Sequence, residues 1–321
     1  MSLHGHKNRE KSTEGVFPNC MRMKTFSFSV TSAVIMLLLA AGCTSGYKPV
    51  ILVHGVFSGP SSFKNLSRFI KKAHPGTEVT AIDLFNNEKS TKSMWKQIDD
   101  FAKVIQKIME KSPEGVHLLC YSQGGLICRG VLSKLPNHNV HNFIVLSSPL
   151  AGQFGVPEML HEFIPVSGRK LVYLICYRRV VQRHFSICNY WNDPHRRVKD
   201  LKFNNFLPLL NGEKAHGKMA GKWKKNFLRI KKLVLIGGPG DDVITPWQSR
   251  YPCLCSFTSH YMNESLCSMM FNQIFYRKNT FGLKTLDTRG DLIVCTQSGV
   301  KHMEWHSNQS VFEKCIQKWL D

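Results

Sequence analysis

Val116-His117-Leu118-Leu119-Cys120-Tyr121-Ser122-Gln123-Gly124-Gly125 is the stretch on which the reading of this chain turns. An apolar run ends abruptly at a serine, and small residues follow at once. The pattern predicts a buried strand, a sharp turn and a helix. Such a turn lifts the serine Oγ clear of the sheet and leaves the next backbone N–H free to face an oxyanion. One position departs from the usual G-x-S-x-G pattern: Cys120 stands where glycine is common. A small side chain still fits there, so Ser122 is a candidate nucleophile. A plain strand-to-helix turn is the alternative.

Working outward, the same alternation recurs. Lys48-Pro49-Val50-Ile51-Leu52-Val53-His54-Gly55 is an apolar run stopped by glycine and reads as a buried parallel strand. A helix is expected from Gly59 to about Lys72, a strand from Glu78 to Leu84, and a helix from Ser93 to Lys111. In the last of these, Trp95, Ile98, Phe101, Ile105 and Ile108 recur at helical spacing. Strands follow at Asn142–Leu146, Lys232–Gly238 and Asp291–Cys295, and Ser310 to Leu320 reads as a closing helix. Strands alternating with helices predict an α/β fold with a mostly parallel central sheet flanked by helices. From about residue 150 to 231 the rhythm breaks, and aromatic, basic and apolar residues mix, as in Phe163-Ile164-Pro165 and Asn205-Phe206-Leu207-Pro208-Leu209-Leu210. This is expected to be a largely helical insertion capping the sheet. Its apolar residues could line an acyl groove, although ordinary core packing is the better reading for any single one.

A serine hydroxyl needs a base to take its proton, and the base needs an acid to hold its tautomer. In the α/β-hydrolase fold the order along the chain is Ser, Asp, His, the last two on loops after late strands. Asp241 and Asp242 follow the strand ending at Gly238, and His302 follows the strand ending at Cys295. Candidate catalytic residues are therefore Ser122, Asp241 and His302. Asp242 could be the acid instead, and His306 is the rival base. The expected oxyanion donors are the backbone amides of Gln123 and of Val56, which lies in the His54-Gly55-Val56 turn after the first strand. His302 and His306 have a spacing that can bind metal on a helix, but no glutamate follows His302 in HExxH fashion. No metal and no cofactor is expected.

Arg22 and Lys24 precede an apolar stretch from about Phe26 to Ala41 that ends in small residues, which reads as a secretory signal. Residues 1–46 are expected to be an N-terminal extension and signal peptide cut near 41–46, with one domain over 47–321. Initiation at Met21 or Met23 would give a conventional signal. An uncleaved anchor and a lipobox at Leu39–Cys43 are the alternatives. With a secretory start, the nine of eleven cysteines that lie beyond the signal read as disulfides rather than metal ligands. Candidate pairs are Cys120 with Cys128, Cys176 with Cys188, and Cys295 with Cys315, while Cys253, Cys255 and Cys267 leave one bridge and an odd thiol. Asn65, Asn263 and Asn308 head glycosylation sequons. The formal charge of +21, from 43 basic and 22 acidic residues, raises nucleic acid as a partner. The basic residues are scattered and no nucleic-acid motif is present, so no nucleic-acid binding is expected. Contact with anionic lipid surfaces or phosphate-bearing acyl donors suits the charge better.

At these residues the chain resembles the palmitoyl-protein thioesterase family, most closely its type-2 branch. The shared stretches include Lys48–Gly55, Gly115–Gly125, Phe185-Ser-Ile-Cys-Asn-Tyr-Trp-Asn-Asp-Pro-His195, Trp223–Arg229, Leu233–Pro239, Val243-Ile-Thr-Pro-Trp-Gln248 and Trp305–Asn308. The resemblance spans about residues 47 to 320. It implies a lysosomal enzyme of the α/β-hydrolase fold that cleaves fatty acyl thioesters such as palmitoyl-CoA, with nucleophile, acid and base falling on Ser122, Asp241 and His302. It also implies a preference for acyl-CoA and S-acylated small thiols over acylated proteins, and a lysosomal sorting receptor that recognises glycans. Two places depart from the family pattern. Gly240-Asp241-Asp242 reads as a rearranged Asp-Asp-Gly, and Cys253 to Asn272 is longer and richer in cysteine. Two competing functions remain open: an oxygen-ester lipase or acyltransferase on the same scaffold, and an inactive luminal lipid-binding relative.

Overall fold

In the computed structural model, residues 46–155, 172–214, 218–244, 246–250 and 270–321 are described. The expected signal segment, Phe163 to Pro165, Cys253, Cys255, Cys267 and Asn263 lie outside them. Six parallel strands form one sheet: β1 Val50–Val53, β2 Val79–Ala81, β3 Val116–Tyr121, β4 Val140–Leu146, β5 Lys232–Gly237 and β6 Leu292–Thr296. Their spatial order is β2-β1-β3-β4-β5-β6. The chain therefore runs outward from β1 to β2, returns across β1 to β3, and then proceeds the other way. Between β1 and β3 the winding reverses, and there the C-terminal strand ends leave a crevice for a site.

Buried strands alternate their side chains between two apolar layers. Ile51, Val53, Leu118 and Cys120 face one layer, while Val50, Leu52, Leu119 and Tyr121 face the other. The first layer is closed by helices α2, Met94–Glu110, and α3, Gln123–Lys134. In α2 the buried stripe Met94, Ile98, Phe101, Ile105, Met109 keeps one helical face on the sheet. The second layer is closed by α1, Lys64–Ala73, and by the C-terminal segment through Phe312, Cys315, Ile316 and Leu320.

Three local readings of the sequence change. Strand β2 is shorter than expected: Ile82 N still donates to Leu52 O at 3.0 Å, but Phe85 and Asn87 then adopt φ of 55° and 51° and turn the chain aside. The first expected helix starts as a 3₁₀ turn, Pro60–Phe63, before α1. The closing helix is a short α turn at Gln309–Val311, a π-type turn at Phe312–Ile316 and a 3₁₀ turn at Gln317–Trp319. Cys315 within it is bridged to Cys295 of β6, so the bridge and the burial of Phe312 and Ile316 govern that segment more than helical propensity does.

Between β4 and β5 the described residues are helical: α4 Val172–Cys176, α5 Arg179–His184, α6 Ser186–Asn189, α7 Arg197–Phe203, α8 Leu207–Leu210 and α9 Met219–Phe227. Asn189 from α6 caps α2, its Oδ1 accepting from Met94 N at 2.9 Å. Phe206, Leu207 and Leu210 enter the main core instead of lining an open groove. Helix α9 packs against α3 as a flanking layer: Asn226 Nδ2 donates to Ser133 O at 2.8 Å, and Phe227 is buried against Phe143 of β4.

Candidate active site

Ser122 leaves β3 with φ 53° and ψ −129°, a backbone conformation that costs a non-glycine residue on the order of 1–3 kcal/mol. Its surroundings hold it there. Ser122 N donates to Leu146 O at 2.9 Å, and Gly125 N donates back to Ser122 O at 3.0 Å. Close approach explains two of the glycines: a Cβ on Gly124 would stand 2.4 Å from Val53 O, and one on Gly55 would stand 2.7 Å from Ser122 Cβ. Cys120, in the position usually held by glycine, is fully buried and bridged to Cys128 on α3. The cysteine side chain therefore ties the strand end to the helix that follows the turn.

The histidine and aspartate reach Ser122 from later loops. His302 Nε2 lies 2.9 Å from Ser122 Oγ, and His302 Nδ1 lies 2.8 Å from Asp241 Oδ2. All three residues are buried. Asp241 is fixed by four further donors. Val243 N and Ile244 N donate to its Oδ1 at 3.0 and 2.9 Å, and Trp305 Nε1 donates to Oδ2 at 2.9 Å, as does Ser147 Oγ. This geometry separates Asp241 from its rival. Asp242 Oδ1 accepts from the backbone N–H of His302 at 3.0 Å, so it positions the loop and does not meet the imidazole. His306 is separated in the same way. Its ring packs edge-on to Tyr121 at 4.8 Å, and burial, with nearby His302 adding, pushes it below the usual histidine value. A serine, an imidazole and a carboxylate in this order can pass a proton from hydroxyl to imidazole and stabilise the resulting cation.

The expected oxyanion donors lie on the two turns next to Ser122. Gln123 is the first residue of α3, where a backbone N–H has no partner inside the helix. Val56 sits on the turn after β1, next to Gly55, which touches Ser122. That turn is braced on both sides. The His54 ring nitrogens lie 2.9 Å from Gly55 O and 2.9 Å from Leu84 O, and Phe57 N donates to Ser90 Oγ at 2.7 Å. Ser90 O in turn accepts from Gln123 Nε2 at 2.8 Å. A cleft of about 690 Å³ lies nearby, between the loop from Asp83 to Lys92 and α2, but neither Ser122 nor His302 lines it. Of the remaining sites marked in the sequence, Asn65 is half-buried on α1, and Asn308 is half-buried with its Oδ1 accepting from Val311 N at 3.2 Å.

Sequence reasoning missed Ser147, Ser90, Trp305 and Tyr121. Ser147 had a legible signal: it is the first residue after β4, the same strand-end place that Ser122 takes on β3. Its φ is 42°, and its Oγ lies 3.3 Å from His302 Nδ1 as well as on Asp241. Tyr121 hydroxyl donates to His302 O at 2.9 Å, a contact between residues 181 positions apart that no local pattern announces.

Comparison with known proteins decides the family. The description "Palmitoyl protein thioesterase" matches residues 49–302. The chain belongs to the palmitoyl protein thioesterase family. Among curated members of this family, the chain is 48% identical to "Lysosomal thioesterase PPT2" of Homo sapiens over 287 residues, covering 89% of this chain and 92% of that protein. It is 46% identical to "Lysosomal thioesterase PPT2-B" of Xenopus laevis over 286 residues, covering 89% and 96%. The "Lysosomal thioesterase PPT2 homolog" of Drosophila melanogaster is 40% identical over 292 residues, covering 90% and 98%. Membership in this family, together with the parallel sheet and its topology, makes the chain a hydrolase of the α/β-hydrolase fold.

Proposed function

We propose that this enzyme hydrolyses fatty acyl thioesters such as palmitoyl-CoA through a serine ester. The relay from Ser122 Oγ to His302 Nε2 at 2.9 Å and from His302 Nδ1 to Asp241 at 2.8 Å carries the reading. His302 takes the Ser122 proton as Oγ attacks the thioester carbonyl. The Val56 and Gln123 amides hold the developing oxyanion. The C–S bond then breaks, the imidazolium returns its proton to the departing thiolate, and the acyl group remains on Ser122. His302 next deprotonates a water that attacks the ester, and the fatty acid leaves as Ser122 recovers its proton. Asp241 orients the imidazole and stabilises its charged form. The route needs no metal or organic cofactor.

The substrate class comes from the relatives, whose printed names are those of thioesterases. Acyl-CoA and S-acylated small thiols are the proposed substrates. The names of the same relatives support a lysosomal location. The proposed route is the secretory pathway, with cleavage near residues 41–46 and a receptor reading glycans on Asn65, Asn263 or Asn308. No described helix is long and apolar enough to cross a membrane. The deciding experiment compares turnover of palmitoyl-CoA with that of a triglyceride and a phospholipid, using Ser122→Ala as the blank. Thioester turnover that vanishes in Ser122→Ala is expected. Hydrolysis of the oxygen esters alone would replace the thioesterase reading with a lipase.

A further inference from the structure

Helices α4 to α6 invert the usual layering of a protein surface. Their polar side chains Gln182, Ser186 and Asn189 are at most 1% exposed, whereas Ile175, Val180 and Phe185 are 59%, 67% and 53% exposed. The inner polar groups are fully engaged. Gln182 Nε2 donates to Cys176 O at 2.7 Å and to Cys188 O at 2.6 Å, and Asn189 Nδ2 donates to Gln182 O at 2.6 Å. The bridge from Cys176 to Cys188 closes the segment, so its outward side chains cannot simply fold inward. A lone exposed apolar residue is ordinary. A rigid segment that satisfies its polar groups internally and turns its large apolar groups outward suits an apolar medium.

Charge identifies that medium. Arg178, Arg179 and Arg183 are exposed on the same segment, and no Asp or Glu occurs between residues 172 and 192. A second copy of the chain, docked face to face about a two-fold axis, would set these arginines against themselves. An anionic lipid surface supplies both complements at once, phosphate and carboxylate groups for the arginines and hydrocarbon for the apolar side chains.

The face is also wired to the reaction centre. Ser186 Oγ donates to Ser90 O at 3.1 Å, the same carbonyl that accepts from Gln123, and Ser90 Oγ receives Phe57 N. Phe57 and Met303, the neighbours of Val56 and His302, are themselves 61% and 62% exposed. We propose that the outward face of α4 to α6 docks on an anionic lipid bilayer, delivering acyl chains from the membrane to Ser122. Docking is separable from the reaction, so its test stands whether or not thioesters are the substrate.

The test is co-sedimentation of the protein with vesicles of phosphatidylcholine alone, or of phosphatidylcholine mixed with phosphatidylserine, at low and high salt. Binding to the mixed vesicles at low salt, weakened by salt, is expected. Arg178→Gln, Arg179→Gln and Arg183→Gln should each weaken partitioning roughly fivefold. Val180→Asp should weaken it about tenfold or more while leaving turnover of a soluble short-chain acyl-pantetheine unchanged. Equal binding to both vesicle types, or wild-type binding by Val180→Asp and the arginine variants alike, overturns the proposal. So does a loss of self-association in Val180→Asp with vesicle binding intact, which would assign the face to a second copy.

Discussion

The two ends of strand β3 treat polar side chains in opposite ways. At its exit, Ser122 faces His302, His302 faces Asp241, and Asp241 receives donors from the backbone, Trp305 and Ser147. At its entry, His117 is fully buried, and neither ring nitrogen has a hydrogen-bond partner among the described residues. Its ring stands edge-on to His141 at 5.5 Å. Burial pushes His117 down to about 3, with His141 and Lys48 adding repulsion. The exit end is organised to move a proton; the entry end is organised to refuse one. Burial alone therefore does not make a histidine reactive. What distinguishes His302 is an acceptor for one nitrogen and a nucleophile for the other.

The largest break in this comparison comes at the exit. His302→Ala should lower kcat on the order of 10⁴-fold or more with the fold retained, and His306→Ala should leave turnover within a few-fold. The reverse pattern in steady-state kinetics would move the base to His306. Asp241→Asn should cost about 10⁴-fold in kcat, because the amide cannot hold the required tautomer. Asp242→Asn should cost about twofold or less, since its carbonyl oxygen still accepts from His302 N. Equal losses would erase the distinction between the two acids.

A smaller effect is expected at Ser147. Ser147→Ala removes one donor to Asp241, worth about 1–2 kcal/mol, so kcat should fall roughly tenfold. The acidic limb of the kcat/KM profile should shift as well, which a purely structural defect would not produce. An unchanged profile with reduced thermal stability would confine Ser147 to packing.

At the entry no effect on turnover is expected, and the change concerns stability alone. Folded His117 resists protonation, while the unfolded chain takes up the proton near pH 6.5. Its contribution is therefore full above pH 6.5 and is lost as pH falls, by about 1.4 kcal/mol per pH unit and about 2 kcal/mol at pH 5. Urea unfolding of His117→Leu should show a slope shallower by about one proton between pH 6 and 4, with activity kept. His138, lowered to about 4 chiefly by burial, retains its own share of the slope in both proteins. Identical slopes would show that His117 does not titrate on unfolding.

Legibility in the sequence followed the range of the physics involved. The strand stops before Ser122, Asp241 and His302 are local events, because apolar runs that end at small or turn-forming residues carry their own periodicity. The parallel sheet could be anticipated from the alternation of strands and helices, while the strand order came from the structure. The family resemblance favours Asp241 over Asp242, while the residues themselves leave both open, since adjacent carboxylates differ only in direction. Ser147 went unread although its strand-end place was legible, because only its approach to Asp241, 94 positions away, gives that place a role. The closing segment was legible as helical, but its π-type and 3₁₀ winding was not.

By itself, the sequence determined the alternation of strands and helices, the serine at the elbow and the family resemblance. These depend on side-chain periodicity and on short motifs whose backbone demands are local. The tertiary structure decided between the two aspartates and the two histidines that the sequence leaves as rivals, and it formed the candidate bridge by which Cys120 ties strand to helix where glycine is usual. It also decided that the segment from α4 to α6 buries Gln182, Ser186 and Asn189 while exposing Ile175, Val180 and Phe185. Those outcomes depend on which loops converge over the reversal between β1 and β3. Convergence is a property of the packed sheet, not of any stretch of chain.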